Sequence, residues 1–212
     1  MTEADLKFAI VALSAMFFVI DPLAMLPIFL TITSGDDAAH RRRIAARAAF
    51  AAWVMLSTFA VAGGLIFQAF GISLGAFKVA GGLMLLLMAI DMMRAHTSPT
   101  RTTAEEQDES RARDDIAIFP LAVPMLAGPG AIATVMVLMS RAAWEPAATA
   151  AVFVAVTLTC LTAYLLMRYA ANAERLIPKT ILRAFERIMG LLLAAIAVEF
   201  IAGGVRDLIG AR

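Results

Sequence analysis

Six apolar runs, each about 20 residues or longer, constrain this chain more than any other feature. They cover roughly residues 6–32, 44–67, 72–93, 116–139, 147–169 and 185–207. About 20 apolar residues in an α-helix are needed to cross the roughly 30 Å of hydrocarbon in a bilayer. Hydrophobic residues make up 61% of the 212 residues and charged residues 17%, which is more apolar surface than a soluble fold can bury. We therefore expect an all-α membrane protein, with six transmembrane helices in a single domain spanning residues 1–212.

The positive charges predict how these helices are oriented. Thirteen of the 18 lysine and arginine residues follow the first, third and fifth runs, and the other five lie on the opposite side. Because positively charged loops are retained in the cytoplasm, both termini are expected to be periplasmic in a bacterial inner membrane. The longest cytoplasmic loop, about 94–115, has almost no apolar residues, so we interpret it as a mobile loop rather than a binding site.

Several function classes are disfavoured by what the chain contains. Its net charge of +1 provides no broad basic surface for nucleic acid. The single cysteine, Cys160, excludes an intramolecular disulfide, and no Cys/His spacing suggests a metal site. Neither a phosphate-binding loop nor a metalloprotease motif is present in the sequence. We therefore expect no cofactor, no metal and no enzymatic activity.

Shifting the sequence by 108 residues reveals an internal similarity. Residues 77–91 then align with residues 185–199, which pairs Gly82 with Gly190 and Asp91 with Glu199. We interpret the chain as two inverted three-helix repeats, about 6–93 and 116–207, because an odd number of helices reverses the second copy. Chance similarity between leucine-rich helices is the alternative. Gly81, Gly82 and Gly190 are expected to permit close helix packing.

The first and fourth apolar runs each contain residues that break helices. These residues are Asp21, Pro22 and Pro27 in the first run, and Pro124, Gly128, Pro129 and Gly130 in the fourth. Proline lacks a backbone donor and clashes with the preceding turn, while glycine allows backbone conformations that other residues resist. Interrupted backbone at membrane depth is tolerated only inside protein or beside a water-filled cavity. The two breaks therefore predict a substrate-binding site.

The new helix ends suggest which ligand such a site would take. Asp21 is expected to cap a half-helix that begins at Pro22, and Gly128 with Pro129 to begin another. A helix N-terminus attracts a carboxylate, and the Asp21 carboxylate attracts an ammonium group or a proton, which together would suit a zwitterion. The alternative is that Asp21 merely caps its own helix and the prolines merely kink the chain. Glu199 is either a second proton-carrying or ion-carrying site or an acid at the periplasmic end reached by water.

Three groups of motifs, in order along nearly the whole chain, resemble the MarC family of bacterial inner-membrane proteins. They are Phe70-Gly-Ile-Ser with Val79-Ala-Gly-Gly-Leu, Pro120-Leu-Ala-Val-Pro with Ala127-Gly-Pro-Gly-Ala-Ile, and Arg187-Ile-Met-Gly-Leu-Leu-Leu. The resemblance, of the UPF0056 type, implies six helices and, for some relatives, transport of small neutral amino acids such as glycine or alanine. This chain departs from the family pattern in two places. Ala24 and Met25 stand where many relatives have Gly-Asn, and Glu199 stands where glutamine is common.

These observations favour a multi-pass secondary transporter of a small solute. The expected partners are the lipid bilayer, a small-molecule substrate and a proton or sodium gradient, and a homo-oligomer is compatible with the pattern. A non-transporting membrane protein, acting in assembly or stress response through lipid or partner binding, is the second hypothesis. Solute flux in vesicles distinguishes the two hypotheses.

Overall fold

The computed structural model describes residues 3–33, 36–94, 117–170 and 179–210, and this part of the chain is helical apart from short turns. The predicted 94–115 loop lies almost entirely outside the described residues. Eight helices follow one another in the described part. They are α1 (Glu3–Ile20), α2 (Met25–Ile32), α3 (Ala38–Phe70), α4 (Leu74–Arg94), α5 (Ala117–Leu126), α6 (Pro129–Ala142), α7 (Pro146–Ala170) and α8 (Lys179–Gly210).

Four of these helices are long and apolar enough to cross a membrane. The qualifying stretches are Ala38–Phe67 in α3, Leu74–Met93 in α4, Pro146–Ala170 in α7 and Arg187–Gly210 in α8. This confirms the all-helical membrane class expected from the sequence. The other two predicted spans are not continuous helices, since α1 with α2 covers the first run and α5 with α6 covers the fourth.

The connection from α2 to α3 is held by local hydrogen bonds. The Thr33 hydroxyl donates to Phe29 O at 2.7 Å, and the buried Arg41 side chain donates from Nε to Thr33 O at 2.9 Å. A cation at this position satisfies a free carbonyl and complements the negative end of the α2 dipole. Asp37 Oδ1 accepts a bond from His40 N at 2.7 Å, which caps α3 and lowers the pKa of Asp37. Arg41 therefore ties the end of α2 to the start of α3.

Helices α4 and α8 pack against each other along small residues that repeat every seven positions. A Cβ placed on Gly204 would lie 2.6 Å from Gly75 O, one on Gly82 would lie 2.8 Å from Ala197 O, and one on Gly190 would lie 3.0 Å from Ala89 O. The partner's number falls as the α4 number rises, so the two helices run antiparallel. We call these six residues the small-residue seam. The Lys78 Nζ to Asp207 Oδ2 ion pair, at 2.6 Å, joins the same two helices.

Helix α6 packs against α1, α3, α4 and α7. A Cβ on Gly63 of α3 would meet the Met136 side chain, and one on Gly81 of α4 would lie 2.6 Å from Ala133 Cβ. Most residues of α6 are buried, including Thr134, whose hydroxyl donates to Gly130 O at 2.8 Å. An interrupted half-helix thus lies in the interior of the protein, while the long helices carry most of the exposed apolar residues.

Candidate functional site

The first break separates α1 from α2 at residues 21–24. Asp21 N still donates to Phe17 O at 3.0 Å, but the φ angle of Asp21 is 47°, in the left-handed region. Asp and Asn visit this region more readily than most residues because their short polar side chains bond locally. Asp21 therefore ends α1 in the way that a left-handed residue ends many helices.

The Asp21 carboxylate is buried within this break. The residue is only 2% exposed, and its Oδ1 accepts a hydrogen bond from Ala24 N at 3.2 Å. The sequence-based expectation that the half-helix begins at Pro22 is wrong, because α2 begins at Met25. The left-handed Asp21 reverses the local backbone, so Pro22 and the next two residues form a turn before the helix restarts. The Pro22 side chain is buried, whereas that of Pro27, in the first turn of α2, is outside the described part of the structure.

The second break has a different construction. Helix α5 is a π-helix of ten residues, and the bond from Ala127 N to Ala122 O, at 2.8 Å, continues its i to i−5 pattern. Pro124 lies within α5, although its side chain is outside the described set. A π-helix shifts the hydrogen-bond ladder by one residue, which accommodates a residue that lacks an N–H group. Such segments occur frequently at functional sites.

Helix α6 begins at this break with an N-terminus that has no side-chain cap. Gly128 is the N-cap residue with φ −75° and ψ 170°, Pro129 occupies the first helical position, and the first helical bond runs from Ile132 N to Gly128 O at 3.0 Å. The N–H groups of Gly130 and Ala131 therefore have no acceptor within α6. Both residues are buried, whereas Pro129 is exposed. This geometry is the one that favours an anionic group.

Packing brings the two breaks into the same buried region. A Cβ on Gly130 would contact the Leu85 side chain of α4 and would lie 3.6 Å from Val19 Cγ1 of α1. Val19 precedes Asp21 by two residues, so the end of α1 that leads into the first break packs against the N-terminal turn of α6. Nothing in the sequence singles out Leu85 or Val19, since each is one apolar residue among many and only the fold brings them to Gly130.

Glu199 lies in a different environment from Asp21. Its side chain is 75% exposed, and its Oε1 lies 3.4 Å from Nη2 of Arg206, about two turns further along α8. The structure thus separates the two acids proposed for ion coupling, because only Asp21 is enclosed at a break. Within the described residues, no three His, Cys, Asp or Glu side chains are grouped closely enough to hold a metal ion.

Comparison with known proteins places the chain in a family. Residues 6–209 match the MarC family of integral membrane proteins. The chain is 36% identical to the UPF0056 membrane protein YvbG of Bacillus subtilis over 203 residues, covering 95% of this chain and 96% of the relative. It is 37% identical over 202 residues to a UPF0056 membrane protein of Methanocaldococcus jannaschii, covering 95% and 98% of the two chains.

A third relative comes from another bacterium. The UPF0056 membrane protein YhcE of Escherichia coli is 32% identical over 193 residues, covering 91% of this chain and 89% of the relative. No solved structure matches the chain. The family match and these nearly full-length relatives agree with the resemblance seen in the motifs, and the chain belongs to the MarC family of integral membrane proteins.

Proposed function

We propose that this protein is a multi-pass secondary transporter of a small, zwitterionic solute, bound where the two broken spans meet. One observation carries the proposal. The end of α1 that leads into the buried Asp21 packs, through Val19, against the buried N-terminus of α6, which has no side-chain cap. Charged side chains inside a membrane are expensive to maintain and are usually functional.

The chemistry of the two breaks is complementary to a small neutral amino acid such as glycine or alanine. The N–H groups at the start of α6 would bind its carboxylate, and Asp21 would bind its ammonium group or a coupling proton. Half-helices that meet near the bilayer midplane bind substrates in this way in several transporter folds. A site of this kind uses the backbone for the anion and needs only one acidic side chain for the cation.

We further propose that α1–α4 and α5–α8 are inverted repeats that form six membrane spans. The contacts across the small-residue seam support this arrangement, since the contact of Gly82 with Ala197 becomes that of Gly190 with Ala89 after the 108-residue shift. The contact of Gly82 with Ile201 likewise becomes that of Gly190 with Met93. Such reciprocal contacts between antiparallel helices are expected from a twofold axis in the membrane plane.

The orientation proposed for these spans places both termini in the periplasm of a bacterial inner membrane. It rests on the lysine and arginine distribution. Reporters fused after Arg212 should behave as periplasmic, and reporters inserted near residue 105 should behave as cytoplasmic. A cytoplasmic C-terminus would contradict both the six-span count and the inverted repeat.

Uptake by the purified protein in liposomes tests the transport proposal. Labelled glycine, alanine and larger neutral amino acids should be compared with and without a proton or sodium gradient, using protein-free liposomes as the control. Saturable uptake of the small amino acids is the expected result. Absence of flux for every solute, in protein that remains folded, would favour the second hypothesis of a non-transporting protein in assembly or stress response.

A further inference from the structure

The contacts made by α4 differ in kind on its two sides. Towards α8, the glycines of the small-residue seam lie so close to backbone carbonyl oxygens that an added Cβ would be only 2.6 to 3.0 Å from them. Towards α6, its contacts are with side chains, namely Ala133 Cβ against Gly81 and the Leu85 side chain against Gly130. A long side chain that packs against glycine, such as Leu85, can move away by changing rotamer, whereas backbone that packs against backbone cannot, and neither can the Cβ of Ala133.

The α4–α8 pair has further features of a rigid unit. Its backbone contacts recur at seven-residue intervals from Gly75 to Ala89, and close helix approach of this type also permits weak Cα–H···O bonds. The ion pair between Lys78 and Asp207 joins the two helices, and the Lys78 side chain is only 15% exposed. Sliding or rotation of one helix against the other would disrupt these contacts together.

Helix α6, in contrast, follows a glycine at its start and is followed by strained backbone at its end. Gly128 precedes its first residue, and Ala143 and Trp144 follow its last with positive φ angles of 48° and 62°. Left-handed conformations of this kind are costly for residues other than glycine and often mark segments that change conformation. Its contact with α3 is also made by a side chain, Met136 against Gly63.

From these contacts we infer that α4 and α8 form a fixed scaffold and that α6 moves across it as a rigid half-helix during transport. This inference rests on the proposed transport function and identifies α6 as the helix that moves during transport. The N-terminus of α6 would thereby alternate between two positions. Met136, which packs against Gly63 of α3, and Leu85, which packs against Gly130 of α6, would change rotamer as α6 moves.

Cross-linking in a Cys160→Ala background tests the inference, because Cys160 is the only native cysteine. The first pair, Gly63→Cys with Met136→Cys, joins α6 to α3 about 10 Å from the start of α6. The second pair, Lys78→Cys with Asp207→Cys, joins α4 to α8 through a short bifunctional thiol reagent. Uptake in liposomes is measured before cross-linking, after it, and after reduction.

We expect the oxidised α3–α6 pair to lose more than about tenfold in uptake and to recover on reduction, while the bridged α4–α8 pair keeps most of its uptake. Full uptake by the oxidised α3–α6 pair, or a block by the α4–α8 bridge, would overturn the inference. If Gly63→Cys with Met136→Cys does not fold, the pair Leu85→Cys with Gly130→Cys, which joins α4 to α6, replaces it. The same loss of uptake on oxidation and recovery on reduction are then expected. Absence of uptake by both the unmodified protein and the Cys160→Ala parent would instead count against the proposed function, and both are measured before any cross-linking.

Discussion

The two helix breaks interrupt their spans at corresponding places by different chemical means. The first uses a left-handed, buried aspartate whose carboxylate bonds to Ala24 N, and the second uses a Gly128–Pro129 pair that leaves the next helix without a side-chain cap. A carboxylate therefore exists at only one of the two breaks. Both halves thus interrupt their backbone at the same place, but the acidic side chain, and with it any ion coupling at the breaks, belongs to the first half only.

Removal of the charge at Asp21 should produce the largest effect on function. Asparagine tolerates the left-handed conformation, and its side-chain oxygen can accept the same hydrogen bond from Ala24 N, so Asp21→Asn should express and fold normally. We expect uptake to fall more than about tenfold or to lose its dependence on pH, because the group that pairs with an ammonium or a proton is gone.

Asp21→Ala is the matched variant for the structural role, and it should also lose about 0.5–2 kcal/mol of local stability. Both variants are compared by uptake at several pH values and by thermal unfolding in detergent. Wild-type uptake with unchanged pH dependence in Asp21→Asn would leave the residue with only a structural role at the break.

A methyl group added at the second break should disturb packing rather than charge. Gly130→Ala places its Cβ against the Leu85 side chain, and overpacking of this kind costs about 1–3 kcal/mol. The double variant Gly130→Ala with Leu85→Ala should recover part of the lost stability, because the shorter side chain leaves room for the new Cβ. Thermal unfolding of the two variants and of Leu85→Ala alone checks this. Additive losses would contradict the proposed contact.

The proposed similarity of the two halves can be tested at the small-residue seam. Gly82→Ala and Gly190→Ala should each destabilise the protein, by up to about 3 kcal/mol, because both new Cβ atoms would meet a backbone carbonyl across the seam. Gly203→Ala is the control, since a Cβ there meets no described atom within 4 Å and alanine favours a helix by about 1 kcal/mol over glycine. Equal unfolding temperatures for all three variants would argue against reciprocal packing.

The smallest effect is expected at the second acid. Glu199→Gln should change uptake less than about twofold and leave its pH dependence intact, because the side chain is exposed and its ion pair with Arg206 is weak. The contrast with Asp21→Asn, measured in the same assay, separates an enclosed carboxylate from an exposed one. Loss of pH dependence in Glu199→Gln would instead indicate that Glu199, on α8, couples transport to the proton.

Much of this protein followed from the sequence because the relevant signals are local. Long apolar runs require a membrane whatever their partners are, and Gly128 with Pro129 begins a helix through its own backbone geometry. Asp21 was identifiable for the same reason, since an acid in an apolar run is expensive wherever it packs. The resemblance to the MarC family, visible in the motifs, was likewise confirmed by the family match.

The tertiary structure decided what depends on contacts between distant residues. Whether α2 begins at Pro22 or Met25 depended on the left-handed turn at Asp21, which the Asp-Pro pair does not specify by itself. That Leu85 and Val19 meet Gly130, and that Glu199 faces outward beside Arg206, are outcomes of how the helices rotate about their axes. Each of these helices carries apolar residues on nearly every face, so the sequence periodicity does not indicate which face packs inward. Packing of small residues between helices makes that choice, because in lipid there is little hydrophobic difference to make it.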